Sequence, residues 1–450
     1  VELFSAVEFD EVEISAEIYQ LLNSINSTFA DNKQLLDGKI NDQDRKKVLD
    51  RLGEAGSEFR NGVYDKAFSG DRVAVKTADL VEFCKLSLEY IDHTIRANRR
   101  EDGLYHAYNL MTAGEDTVEI TYLYEMLEGQ VAVLSSGYLQ PEEALDVLVA
   151  LRDSAIYTAR QNSYLLYPDR ELTRFIDKNI IPAADVERSA LLKALVAAGD
   201  TSLVEKTAAG SFHFNGEFNN VVSAREAMQS LRDSGYAELV DQDQSLIEEI
   251  FESVFTHREF TGRSGGMYAY EGLGSIYWHM VSKLLLAALE NFQKAVAQGS
   301  NPALIGRLAD CYFDIRSGIG FNKTPDNYGA FPTDPYSHTP GFAGAKQPGM
   351  TGQVKEDLIS RFGELGVSVK EGKLTFAPRI LRSEEFLSNQ GVFEYVNIEN
   401  VVDSVKVPKG GLAFTYCQVP VIYERSDKPQ IVVHTQSEAH TIDGDTLSSE

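Results

Sequence analysis

Residues 274–297 read GSIYWHMVSKLLLAALENFQKAVA, with apolar side chains returning every three or four positions. That period marks an amphipathic helix. It recurs in LVEFCKLSLEYIDHTI (80–95), ITYLYEMLEGQVAVLSS (120–136), EEALDVLVALRDSAIYTA (142–159) and SLIEEIFESVFTH (245–257). After residue 363 the period changes: GVSVKEGKLTFAPRI (366–380) alternates apolar and polar residues around a tight EGK turn, as a hairpin does. VFEYVNI (392–398), GLAFTYCQVPVIYE (411–424) and KPQIVVHTQ (428–436) continue in that β-branched, period-two style. Helices followed by strands point to separate layers rather than alternating βαβ units. The fold is therefore expected to be mainly α, with a helical domain over 1–365 and a small C-terminal β domain over 366–450.

The chain has 450 residues, 43% hydrophobic and 24% charged, as globular proteins do. No run reaches the roughly 18 apolar residues of a membrane helix. The opening VELFSAVEFDEVEIS has no basic n-region, so no signal peptide is expected there, and both ends read as those of a piece of a longer protein. A net charge of −26 disfavours nucleic acid and anionic membranes as partners and suits an uncharged substrate such as a sugar. Cys84, Cys311 and Cys417 are far apart and in no CxxC spacing, which fits a reducing cytoplasm rather than a disulfide framework.

P-loop, HExxH, GxSxG and dinucleotide motifs are absent, and the eight His never cluster at metal-ligand spacing. No metal or cofactor is expected. What remains is carboxylates beside aromatics, the combination that suits sugar chemistry, because carboxyl groups move protons and aromatic faces stack on pyranose rings. Several loops carry such residues. RQNSYLLYPDRE (160–171) holds Tyr164, Asp169 and Arg170 as candidate sugar contacts, the alternative being tyrosines buried in a core. HFNGEFNN (213–220) offers Asn215 and Glu217 as hydroxyl partners. Glu125 and Glu128, three apart, read as one helix face, either a site for a general acid or a solvated surface. Trp278 reads as core.

SGGMYAYEGLGSIYWHMVSKLL (264–285) resembles the GGQYTHAxxW helix start of the inverting sugar phosphorylases, the cellobiose phosphorylase family (glycoside hydrolase family 94). Three further elements follow in that family's order: Asp334-Pro335-Tyr336 for its Glu-Pro-Tyr, Thr351-Gly352-Gln353 for its TGSAGW helix start, and EGKLTFAPRIL (371–381) for its closing hairpin. The resemblance is clear over residues 260–385 and weaker over 85–160. It implies an (α/α)6 barrel followed by a β cap, with the family's N-terminal β-sandwich absent from this chain. It also implies phosphorolysis of a β-linked oligoglucan, with the 1,2-β-oligoglucan phosphorylases as the nearest branch. Inorganic phosphate is then the co-substrate, and a homodimer is the implied assembly.

The same resemblance implies sugar contacts from Tyr270, Asp334 and Tyr336, and phosphate contacts from His338, Thr351, Gly352 and Gln353. A helix N-terminus supplies N–H donors and a favourable dipole for such an anion, although Thr351 would equally serve as a plain N-cap. Two departures matter. Tyr270 stands where the family has a His, and Gly103-Leu104 is followed by YHAYNLMTAGEDTVEI without the family's GDW acid. Asp116 is the expected acid, with Glu115 and Glu119 as alternatives; the other reading of all three is an acidic helix N-terminus. Glu271 would be the general base if the protein were an inverting hydrolase, and a non-catalytic carbohydrate-binding chain is the third reading.

Overall fold

The computed structural model describes residues 1–123, 125–168, 175–255, 275–319, 324, 338–340, 353–435 and 437–448. They form two compact units, one of Val1–Gly129, Asp153–Thr158 and Tyr164–Ile276, the other of Gln130–Arg152, Ala159–Ser163 and Tyr277–Glu450. Helices dominate as far as Glu364, and hairpins follow from Val367. The chain is mainly α with a C-terminal β region.

The first unit opens with strands Glu11–Ser15 and Arg72–Lys76, paired antiparallel from Glu11↔Lys76 to Ser15↔Arg72. Each strand runs directly into a helix, Ala16–Asp31 and Thr77–Ala97. These two helix starts mirror each other: Ala16 N–H donates to Asp71 O at 3.0 Å, and Thr77 N–H to Asp10 O at 2.8 Å. Ser15 and Asn41 cap Ala16–Asp31 and Asp42–Lys66 by accepting from Ile18 and Asp44 N–H, which satisfies donors that a helix start leaves over.

Further along the same unit lies a module with a core of its own. Ile181, Leu191, Leu192, Leu195, Val204, Phe214, Met228, Val240, Ile247, Phe251 and Val254 are buried against one another. All but Ile181, which bridges to Phe212, come from three helices, Ala190–Ala198, Val221–Leu231 and Ala237–Phe255, and from the hairpin Val204–Lys206/Phe212–Phe214. Asp243, only 3% exposed, fixes one helix start by accepting from Ser189 Oγ and Leu191 N–H, both at 2.8 Å.

In the second unit, helix Trp278–Ala297 is the centrepiece, and Trp278 is wholly buried, as a core residue should be. Helix Gln353–Glu364 packs against it so closely that a Cβ on Gly363 would lie 2.4 Å from Leu289 Cδ2. The EGK turn is real: Val367–Lys370 pairs with Lys373–Phe376, and Glu371 and Gly372 have φ of 53° and 73°. Positive φ at both central positions matches the right-handed twist of the strands. Thr446–Leu447 adds a third strand, and three more hairpins pair Gly391–Val396 with Val402–Val407, Gly411–Tyr416 with Val419–Glu424, and Gln430–His434 with Ala439–Asp443.

Two sequence expectations change here. ITYLYEMLEGQVAVLSS becomes helical only at Leu127, because its first residues finish the strand Val118–Thr121. EEALDVLVALRDSAIYTA leaves its helix after Asp153. Apolar spacing alone does not register that a strand has found a partner, Leu110–Ala113, a few residues upstream.

Candidate functional site

In the first unit, the segment after helix Thr77–Ala97 gathers polar side chains. Arg100 N–H donates to Leu104 O, and Gly103 at φ 84° turns the chain, so Leu104 and Tyr105 go inward while Arg100 and Asp102 meet. The Arg100 guanidinium donates to Asp102 at 2.7–3.0 Å and reaches Glu125 Oε2 at 3.3 Å. Those bonds, chiefly from Arg100, hold the Asp102 carboxyl below the usual carboxylate range and raise the Arg100 guanidinium. A fork of this kind fixes both partners in plane.

His106 follows, its ring stacked on Tyr122 with centroids 4.1 Å apart and planes at 20°. Its N–H donates to Asn98 O at 2.8 Å, and the Asn109 amide donates to Asn98 Oδ1 at 2.7 Å. Two acceptor-capable atoms are enclosed without partners, His106 Nδ1 and Asn109 Oδ1. Each costs about 1–3 kcal/mol unless a donor meets it. Burial, then the charge of Arg100, lowers the His106 pKa against smaller opposing contributions, so the ring is held neutral. Gly129 allows this loop to lie close, since a Cβ there would sit 2.6 Å from Ala107 Cβ. The arrangement presents a charged fork, an aromatic pair and two unmet acceptors, a set that suits a donor-rich neutral ligand.

Beside it, Glu115 and Asp116 occupy the turn between Leu110–Ala113 and Val118–Thr121, closed by Gly114 N–H donating to Thr117 O at 2.8 Å. Glu119 lies on the second strand, opposite Thr112. All three are exposed. The segment is a β-hairpin, which removes the acidic-helix-start reading. Glu125 likewise precedes its helix, which starts at Leu127, so Glu125 and Glu128 do not share a helix face.

The other candidates scatter. Tyr164 is buried at 4% exposure, edge-on to Tyr157 at 5.5 Å, which places it in the core. Asn215 belongs to the cored module and spends its amide there, donating to Thr201 O, 14 residues upstream, and accepting from Glu217 N–H within its own turn. His338 lies in the strand His338–Pro340, and Gln353 begins the helix Gln353–Glu364, so that helix starts where the TGQ reading put it. Asp169, Arg170, Tyr270, Glu271, Asp334, Tyr336, Thr351 and Gly352 lie outside the described residues.

Sequence reasoning passed over a second polar cluster, in the second unit. Along helix Gln353–Glu364, Glu356, Ser360 and Glu364 fall four residues apart and are 4%, 3% and 2% exposed. Glu356 Oε1 lies 3.1 Å from His279 Nε2, whose Nδ1 is 3.4 Å from the Tyr277 hydroxyl. Glu356 Oε2 and Ser360 Oγ are enclosed without partners. Glu364 accepts from Tyr312 Oη and Arg361 Nη1 at 2.5 Å and from Arg316 at 3.1 Å. Burial and then the Glu364 charge push the Tyr312 phenol well above its ordinary value. Periodicity gave no signal for it: the apolar residues of this helix, Leu358, Ile359 and Phe362, are the exposed ones, and the buried face is the polar one at i, i+4 and i+8. Among the described residues, no group of three or more His, Cys, Asp or Glu could hold a metal ion, and no helix is long and apolar enough to cross a membrane.

Residues 172–258 match the family model of the GH149 phosphorylase insertion domain 2. The matched span encloses the module whose core runs from Ile181 to Val254. No curated protein matches the chain. The match supports a glycoside phosphorylase of the GH149 type, with the likeness to the cellobiose phosphorylase family as the coarser relation.

Proposed function

We propose that the protein phosphorolyses a β-linked oligoglucan with inversion, releasing a sugar 1-phosphate and a chain shortened by one unit. The observation that carries this reading is the coincidence of the phosphorylase insertion-domain match at 172–258 with a module that has its own core. The motif order over 260–385 supports it, as does the helix start at Gln353. On this reading the helical part is an (α/α)6 barrel, with the β domain from residue 366.

In the reaction, a phosphate oxygen forms a bond to the anomeric carbon while the glycosidic C–O bond breaks on the opposite face. One protein acid gives its proton to the departing oxygen, and the proton carried by the phosphate restores it. No second carboxylate is needed, because the nucleophile is bound phosphate rather than water. Asp116 is the proposed acid, with Glu115 and Glu119 as alternatives; as an exposed hairpin turn, the segment can reach a bound sugar without unfolding anything. The His106 group supplies hydroxyl partners nearby in the chain. His338, Thr351, Gly352 and Gln353 are proposed for phosphate, and Tyr270, Asp334 and Tyr336 for sugar. The three free cysteines fit a cytoplasmic setting.

The test is release of sugar 1-phosphate from a panel of β-linked glucans, β-1,2-linked ones included, with and without phosphate, on wild type and Asp116→Asn. Phosphate-dependent product that disappears in the variant supports reaction and acid together. Free glucose regardless of phosphate means a hydrolase, with Glu271 as the base to examine. No product from any glucan rejects the proposal.

A further inference from the structure

Glu356 sits in the first turn of helix Gln353–Glu364 with only 5% of its side chain exposed. His279 Nε2 occupies one carboxylate oxygen at 3.1 Å, with Lys355 Nζ 3.7 Å from the same oxygen, and the other, Oε2, is enclosed without a partner. Ser360, on the same helix face one turn on, also has an enclosed hydroxyl without a partner. The first turn of any α-helix carries main-chain N–H groups that no intrahelical carbonyl takes, and these attract anions. A buried carboxylate beside them repels an anion that has no proton.

An anion that is itself a hydrogen-bond donor meets both demands. Inorganic phosphate keeps a proton at neutral pH, so it accepts from the helix N–H groups and donates its P–OH to a carboxylate. Sulfate has no proton to donate. We propose that Glu356 makes this helix end selective for protonated oxyanions, phosphate and arsenate over sulfate. His279 is the positioning residue: by holding Oε1 it leaves Oε2 for the ligand. The proposal rests on the phosphorylase reading above and adds to it the proton state of the co-substrate and the residue that reads it.

Titration calorimetry on the whole protein with phosphate, arsenate and sulfate tests this, alongside the sugar 1-phosphate assay. Phosphate and arsenate are expected to bind alike and sulfate on the order of a hundredfold more weakly, because a site built around a donated hydrogen bond rejects a ligand that lacks the donor. In Glu356→Gln the amide donates instead, and sulfate should come within about threefold of phosphate. Equal binding of sulfate and phosphate by the wild type overturns the proposal, as does unchanged discrimination in a folded Glu356→Gln. Should that variant not fold, the wild-type comparison decides by itself. Sugar 1-phosphate formation with sulfate competing as well as phosphate removes this proposal and leaves the phosphorylase reading. Selective phosphate binding without sugar phosphate does the reverse, and binding of neither anion overturns the selectivity outright.

Discussion

Tyr312 and Glu364, 52 positions apart, share a hydrogen bond of 2.5 Å in which the phenol donates to Oε1. It joins helix Pro302–Ser317 to the end of helix Gln353–Glu364 at a carboxylate 2% exposed, with Arg316 and Arg361 as further donors. Tyr312→Phe removes one donor from a buried charge and is expected to cost about 1–3 kcal/mol in urea unfolding. A change within 0.3 kcal/mol or so, the noise of such comparisons, would show that the arginines suffice.

Alkali should find the same bond. Burial raises the phenols of both Tyr312 and Tyr423, the latter donating to Leu365 O at 2.5 Å. A raised folded-state pKa means that this stability is fully present below the unfolded tyrosine value, about 10, and is lost as pH rises toward the folded one. Unfolding measured across that alkaline window should show a drop in stability that Tyr312→Phe and Tyr423→Phe each reduce.

On the acid side, His106 has the opposite sign. Its pKa is lowered by burial, so its contribution is present above about 6.5 and lost as pH falls through the depressed folded value. His106→Gln should flatten the acid limb of the stability curve relative to wild type. Its ring protons should titrate below the range of an exposed histidine by NMR.

Gly363 allows two helices to touch. A methyl there meets Leu289 Cδ2 at 2.4 Å, so Gly363→Ala should destabilise by about 1–3 kcal/mol in thermal or urea unfolding. Leu289→Ala in the same chain should recover part of that loss. Additive losses would mean the two sites do not share the space.

The module within residues 172–258 should fold when produced alone, with a cooperative thermal transition, because its core closes on itself. Leu192→Ala, at a wholly buried position, should lower its stability by about 2–5 kcal/mol. A non-cooperative melt of the isolated module would show that it depends on the rest of the chain.

The sequence by itself determined that the chain is mainly α with a C-terminal β region. Three- and four-residue spacing up to Glu364 and alternation from Val367 set helix or strand, a local property of the chain, although in helix Gln353–Glu364 the apolar Leu358, Ile359 and Phe362 stay exposed. The EGK turn was legible for the same reason, since two adjacent residues at positive φ need little beyond themselves. The Gln353 helix start was readable from its TGQ opening. Other features depended on partners elsewhere in the chain. The front of ITYLYEMLEGQ became a strand because Leu110–Ala113 came to lie beside it, and Glu115 and Asp116 thereby moved from a helix entrance to a hairpin turn. Tyr164 went into the core beside Tyr157, and Asn215 gave its amide to Thr201 O, 14 positions away. Only tertiary structure placed His279 against Glu356, 77 positions away, and Ser189 against Asp243. Burial and hydrogen bonding between remote side chains are set by how elements pack, and periodicity, being local, carries no record of which neighbour each face will find.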